Sequence, residues 1–258
     1  MGKDSRISWT DNTFNPWWGC TKVSDGCKLC YAQTLAKRTG FDIWGDDKPR
    51  RFFGEKHWQE PLAWNKQAAA KGIKETVFCG SMCDVFELRG DLDKERCRLW
   101  KLIEETPNLI WLLLTKRPEN IQTQVPKNWL IGKLPENVWL GVTVESEKYF
   151  DRVEFLLEMN ANIFVSCEPL ISNIQFEELL WSIRWMIVGG ESGIGARPMD
   201  IEWARDLRHQ CGFFRIPYFF KQLGGFPDKQ DRIEEWPVDL QVQQFPDWDY
   251  KWRKRHDS

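Results

Sequence analysis

Six short apolar runs, each ending in charged or hydroxylic residues, constrain this chain more than any other feature. They are Thr76–Gly80, Leu109–Thr115, Val138–Val144, Asn162–Cys167, Trp185–Gly189 and Pro217–Phe220. Each is continuously apolar rather than alternating, which marks a strand covered on both faces, as in a parallel sheet. Successive runs start about 23–33 residues apart, close to the length of one βα unit. Between several of them the apolar residues keep helical spacing. Tyr149/Phe150, Val153 and Leu156/Leu157 do so, as do Trp203, Leu207 and Cys211, with Asp200 as N-cap and Gly212 as stop. An extended segment within residues 7–19 supplies one more strand, making about seven βα units. The expectation is an α/β fold, a single-domain complete or partial (β/α) TIM-like barrel with parallel strands. Its domain spans residues 1–225, and residues 226–258 form a C-terminal extension expected to be partly disordered.

The strand ends carry the second signal. Ser81-Met82-Cys83-Asp84 follows the first run, Thr115-Lys116-Arg117 the second and Thr143-Val144-Glu145 the third. Ser166-Cys167-Glu168, Gly189-Gly190-Glu191-Ser192 and Lys221-Gln222 complete the series. A βα barrel gathers its active site at the C-terminal face of the strands, so polar groups recurring there point to a site rather than to ordinary turns. Glycines in the run from Gly189 to Gly195 let backbone approach a ligand closely. That run lacks the ribose-binding acid of a dinucleotide fingerprint.

A third feature lies ahead of all these strands. Cys20, Cys27 and Cys30 are spaced C-x6-C-x2-C on a glycine-bearing loop that runs into a helix, Tyr31 to Arg38. Thiolates are soft ligands that hold iron–sulfur clusters or zinc. A closed structural site usually takes four ligands, so three on one loop favour a cluster with an open position. On the residues alone, a non-catalytic iron–sulfur or zinc protein that binds nucleic acid or a protein partner stays open. A zinc site would recruit Cys79, Cys83 or His57 as its fourth ligand.

Composition narrows the setting. With 258 residues the chain can bury a substantial core, and its net charge of −2 exerts no general pull on nucleic acid. Basic residues cluster only at Lys48–Arg51 and Lys251–Arg255. No stretch of 18 apolar residues and no apolar signal region is present, so a cytoplasmic location without membrane contact is expected. Thiols stay reduced there, and the eight cysteines read as ligands and core residues rather than as disulfides. Most of the sixteen tryptophans fall where core packing accounts for them. Thr39–Asn65, rich in Gly, Pro and charge, reads as a long, partly irregular insertion.

The cysteine loop, ending Cys27-Lys28-Leu29-Cys30-Tyr31-Ala32, is similar to the motif of the radical S-adenosylmethionine (radical SAM) superfamily. More closely, ordered segments resemble the phage Gp37/Gp68 family of radical-SAM-like proteins. These include Trp9–Pro16, Gly19–Ser24, Gly80–Asp84, Leu114–Pro118 and Val138–Glu145. Cys167–Leu170, Ile187–Gly193, Ala196–Asp200 and Phe219–Gln222 follow in the same order, so the resemblance covers about residues 7–225. Two departures stand out: three extra residues in the loop, Ser24-Asp25-Gly26 among them, and cysteine at positions 83 and 167.

The resemblance implies a [4Fe-4S] cluster on Cys20, Cys27 and Cys30, with S-adenosyl-L-methionine on the open iron. It implies a 5′-deoxyadenosyl radical that abstracts hydrogen from a substrate, and an electron donor such as a flavodoxin or ferredoxin. Asp84, Lys116, Thr143, Glu168, Gly190 and Glu191 are the residues expected to hold the cofactor. Similarity of the Ser81–Asp84 and Thr115-Lys116 segments to a DNA-repair member of the superfamily favours a nucleic-acid base or nucleotide as substrate.

Overall fold

In the computed structural model all six apolar runs are strands of one parallel sheet, each within two residues of its expected bounds. The structure describes residues 2–131, 134–225, 227 and 229–248. In chain order the elements begin with β1 (Asn12–Phe14), β2 (Trp17–Trp18), α1 (Tyr31–Arg38), β3 (Arg51–Phe52), α2 (Glu55–Lys71) and β4 (Glu75–Cys79). There follow α3 (Asp93–Glu105), β5 (Leu109–Thr115), α4 (Ile121–Gln124), α5 (Lys127–Ile131) and β6 (Val138–Thr143). The chain continues with α6 (Arg152–Leu157), β7 (Asn162–Cys167), β8 (Ile183–Gly189), α7 (Ile201–Phe214) and β9 (Tyr218–Gln222). The seven-stranded sheet has the order β1-β4-β5-β6-β7-β8-β9, and β2 and β3 form a separate antiparallel pair. Among the described residues β1 and β9 do not pair, so the sheet curls into a half-barrel rather than closing.

Alternate side chains of each strand face opposite layers. Val77, Cys79, Trp111, Leu113, Leu140, Val142, Val165, Cys167, Met186 and Val188 face the helices and belong to the larger core. Phe78, Ile110, Leu112, Trp139, Phe164, Trp185, Ile187 and Phe219 face inward, with Trp9 and Trp248 packed among them. Trp9 lies 4.5 Å from the Phe78 ring and Trp248 lies 4.2 Å from Trp139, so aromatic rings fill the lower half of the trough. Hydrophobic burial of this kind contributes about 1.5–3 kcal/mol per large side chain.

Two details differ from the sequence-based expectation. Residues 55–71, partly assigned to an irregular insertion, form a helix that buries Trp58, Pro61, Trp64 and Ala68 on one stripe. Pro61 lies inside it and reads in sequence as a breaker, although only one backbone donor is lost. Helix α7 does not stop at Gly212 but runs to Phe214, where Arg215 takes the left-handed conformation with φ 56°. Its N-cap is as expected, since the Asp200 carboxylate accepts from the Glu202 amide at 3.0 Å. Within the C-terminal extension, described residues between 229 and 248 pack onto the barrel. Trp236 and Leu240 enter the helix-side core, and Phe220 donates its amide to Val242 O while Gln244 donates to Tyr218 O. These bonds cover the free edge of β9, a position that otherwise invites strand addition. The basic cluster Lys251–Arg255 lies outside the described residues.

Candidate functional site

The inward register that buries Leu112, Trp139, Phe164 and Phe219 continues into polar residues at and just past the strand ends. Lys116, Thr143, Ser166, Glu168 and Lys221 thereby line the upper trough. They surround a cavity of about 430 Å³, within the size range of small-molecule sites. Asp84, Lys116, Thr143, Glu168, Gly190 and Glu191 all line it, and so do Cys20, Cys27 and Cys30. Nine residues spread over 172 positions of sequence (20 to 191) meet in one place. Its floor is apolar, made by Trp9, Phe78, Met82 and Leu114.

Backbone contacts seat the cysteine loop. Gly19 donates to Met82 O at 3.0 Å, and Cys20 pairs with Trp44 in an isolated bridge. Residues Asp25–Cys27 form a single 3-10 turn, and Cys30 is the N-cap residue of α1, its carbonyl accepting from Thr34. Asp25 and Gly26 reach across to the opposite side of the site. The Gly26 amide donates to Glu145 Oε1 at 3.1 Å, and a Cβ at position 26 would sit 2.9 Å from that oxygen. Only glycine permits this approach without a shift. Asp25 bonds the Tyr149 hydroxyl through both amide and carboxylate, and its carbonyl accepts from Arg197 at 3.0 Å.

The candidate acids are all engaged. Asp84 accepts from the Thr115 hydroxyl, the Lys116 and Phe86 amides, and Arg117 Nη1 at 3.0 Å. Glu168 pairs with Lys221. Glu191, 6% exposed, accepts from both the amide and the guanidinium of Arg197. Lys116 donates from Nζ to Thr143 Oγ1 at 3.2 Å. The absent side chain at Gly190 makes room for a chain crossing, because a Cβ there would lie 2.0 Å from Leu223 O.

The thiols differ in electrostatic setting. Burial pushes Cys20 up to about 12, partly offset by Arg117. At Cys27 burial works in the same direction, but Lys116 and hydrogen bonds from Val23 and Ser24 outweigh it and hold the thiol below its ordinary value. Burial raises Cys83 and Cys167 well above theirs. Cys167 faces the helices with its sulfur 3.7 Å from Met186 Sδ, whereas Cys83 borders the cavity. Of the possible fourth zinc ligands only Cys83 does so. Cys79 is in the helix-side core, and His57 Nε2 is 2.9 Å from Asn15 O with its ring stacked on Phe14.

Among the described residues no three His, Cys, Asp or Glu side chains stand arranged to hold a metal ion. The donor chemistry nevertheless fits an iron–sulfur cluster. Cys20, Cys27 and Cys30 are free thiols, partly exposed, on one loop and beside one cavity.

Sequence reasoning passed over four residues that organise this site: Arg117, Glu145, Arg152 and Arg197. Arg117 and Glu145 end two of the strand-end triplets, so position alone marked them. Arg152 opens α6 and Arg197 lies in the loop before α7, and only their partners show their role: Arg152 Nη1 donates to Glu145 Oε2 at 2.7 Å and to Thr143 O at 2.7 Å.

Comparison with known proteins follows the same outline. Residues 4–250 match a family model described as "Protein of unknown function (DUF5131)". No match is found among curated proteins. Among solved structures, a cysteine-to-serine mutant of spore photoproduct lyase is similar with a TM-score of 0.54 at 10% identity. The match covers 85% of this chain and 78% of that one. At that identity the likeness is one of fold: the open parallel half-barrel is shared with that protein. No helix among the described residues is long and apolar enough to cross a membrane.

Proposed function

The chain belongs to the DUF5131 family, and from the architecture of its cavity we propose that it is a radical S-adenosylmethionine enzyme. One observation carries the reading: three free thiols on one loop border the same cavity as the polar ends of the barrel strands. In this reading Cys20, Cys27 and Cys30 hold a [4Fe-4S] cluster, and S-adenosyl-L-methionine occupies the adjoining trough. When bound, the pair supplies one-electron cleavage of a sulfonium bond and hydrogen abstraction from a substrate. The ordered motifs that resemble the phage Gp37/Gp68 family add support.

The chain's own residues bind, orient and exclude water. Lys116, bonded to Thr143 and lowering the pKa of Cys27, balances negative charge on the thiolate side. Gly190 and Glu191 also line the cavity, with Glu191 fixed by Arg197. Glu168 and Lys221 present an ion pair to the lumen. Trp9, Phe78 and Leu114 keep water from the floor. Arg6, Lys22 and Lys229 add cations to the lining, which suits an anionic substrate such as a nucleotide or a nucleic-acid base in its strand. The reducing partner in this reading is a flavodoxin or ferredoxin, and the location is cytoplasmic.

Anaerobic reconstitution with iron and sulfide tests the proposal. The expected product is brown, absorbs near about 400 nm, and after reduction with dithionite converts S-adenosylmethionine to 5′-deoxyadenosine. A protein that takes up zinc but no iron–sulfur cluster would refute it.

A further inference from the structure

We propose that Arg117 is a positioning residue for the cysteine site: it fixes Cys20 and raises the reduction potential of the cluster held there. The inference rests on the iron–sulfur reading above. Arg117 stands two residues beyond β5, and its side chain is 8% exposed. Nη1 lies 3.6 Å from Cys20 Sγ and 3.0 Å from Asp84 Oδ2. Nη2 donates to Thr21 O at 2.6 Å, the carbonyl directly after Cys20. The guanidinium therefore grips the first cysteine through sulfur and backbone together.

The grip is itself braced. Asp84 is held by the Thr115 hydroxyl and two amides, so its carboxylate cannot swing away from Arg117. Behind it Arg50, fully buried and paired with Glu87, donates to Thr21 Oγ1 at 3.1 Å. Two arginines from distant stretches thus converge on one threonine beside a ligand cysteine. A buried arginine needs only a carboxylate and a carbonyl to be satisfied, and Arg117 has both. The contact with sulfur is additional, and it carries the functional inference.

Reduction adds one electron and no proton to a thiolate-ligated cluster, supplied by an external one-electron reductant. The reduced state is more negative by one charge. A fixed cation and an N–H···S donor both stabilise that state, and such donors are among the determinants of cluster potential. Cys27 has a different setting, its sulfur 3.6 Å from the Ser24 hydroxyl and under the influence of Lys116. The Arg117 contribution is thus specific to the Cys20 corner. Lysine cannot reproduce it, because only the guanidinium fork reaches sulfur, carboxylate and carbonyl at once.

The test is a redox titration of anaerobically reconstituted protein, with dithionite as reductant and the reduced cluster followed by electron paramagnetic resonance. Asp84→Asn and Arg117→Gln/Asp84→Asn are compared, since the double variant leaves no buried charge unpaired. The double variant is expected to be at least about tenfold harder to reduce than Asp84→Asn, about 59 mV for a one-electron couple. Arg117→Lys, which keeps the charge and loses the fork, is expected between wild type and the double variant. Should the double variant lose its iron, Arg117→Lys decides: a lowered midpoint supports the assignment and a wild-type midpoint overturns it. Equal midpoints at full iron content in all variants also overturn it while leaving the cluster intact. Absence of a cluster in wild type instead defeats the iron–sulfur reading, and this inference with it.

Discussion

Replacing Glu145 by glutamine is the most informative single perturbation of the loop clamp. Glu145 is fully buried at the end of β6 and uses its two oxygens for two different donors. Oε1 accepts from the Gly26 amide and Oε2 from Arg152 Nη1. An amide has one acceptor oxygen, so its NH2 group must face one of those donors. The side chain of Arg152 is 8% exposed and then loses its carboxylate partner. Breaking a buried ion pair by removing one partner costs about 3–5 kcal/mol. Arg152 keeps its bond to Thr143 O, which places the expected loss near the lower bound, about 3 kcal/mol. For a domain of this size that is a fall in Tm of about 6–12 °C, at about 2–4 °C per kcal/mol. Urea unfolding read by tryptophan fluorescence measures the loss, and the reaction rate of Cys27 with a thiol reagent should rise in parallel as the loop comes free. A change within about 0.5 kcal/mol, with unaltered thiol reactivity, would refute the clamp.

Other outcomes follow from the same geometry. Cys20→Ala, Cys27→Ala or Cys30→Ala should each abolish cluster assembly while exposed Cys97→Ala should not, as iron and sulfide analysis will decide. Glu191→Gln should keep the fold but weaken S-adenosylmethionine binding at least about tenfold in a titration of reconstituted protein, and wild-type affinity would remove Glu191 from the site. Phe164→Ala, emptying the middle of the trough, should cost about 3–5 kcal/mol in equilibrium unfolding, and a cost under about 1 would contradict the inward packing. Gly26→Ala forces its new methyl against Glu145, so cluster content after reconstitution should drop even where circular dichroism is unchanged.

The strands were legible because burial on both faces leaves an unbroken apolar run, a signal contained in the strand itself. Leu109–Thr115 and Asn162–Cys167 keep even their expected limits. Helix α2 was not, because Pro61 and the charged, glycine-rich residues around it masked a stripe of buried tryptophans. The packing of Trp236, Leu240 and Trp248 was also hidden, since their partners on β6, β8 and β9 are remote in sequence. Polar pairing at the site shows the same limit. Strand-end position picks out Asp84 and Lys116, but the adjacency of β4 and β5 is what gives Asp84 to Arg117. Nothing local to Glu191 announces that Arg197 will bind it and also hold the cysteine loop.

Both free margins of the sheet are occupied by the chain's own backbone. Gly2 O accepts from Thr13 and Asp11 O accepts from Ser5 beside β1, while Val242 and Gln244 bond to β9. With these groups already spoken for, the two margins cannot pair through them, and the sheet stays an open crescent whose free space lies at the polar strand ends. Admission to such a trough is set by width rather than by threading.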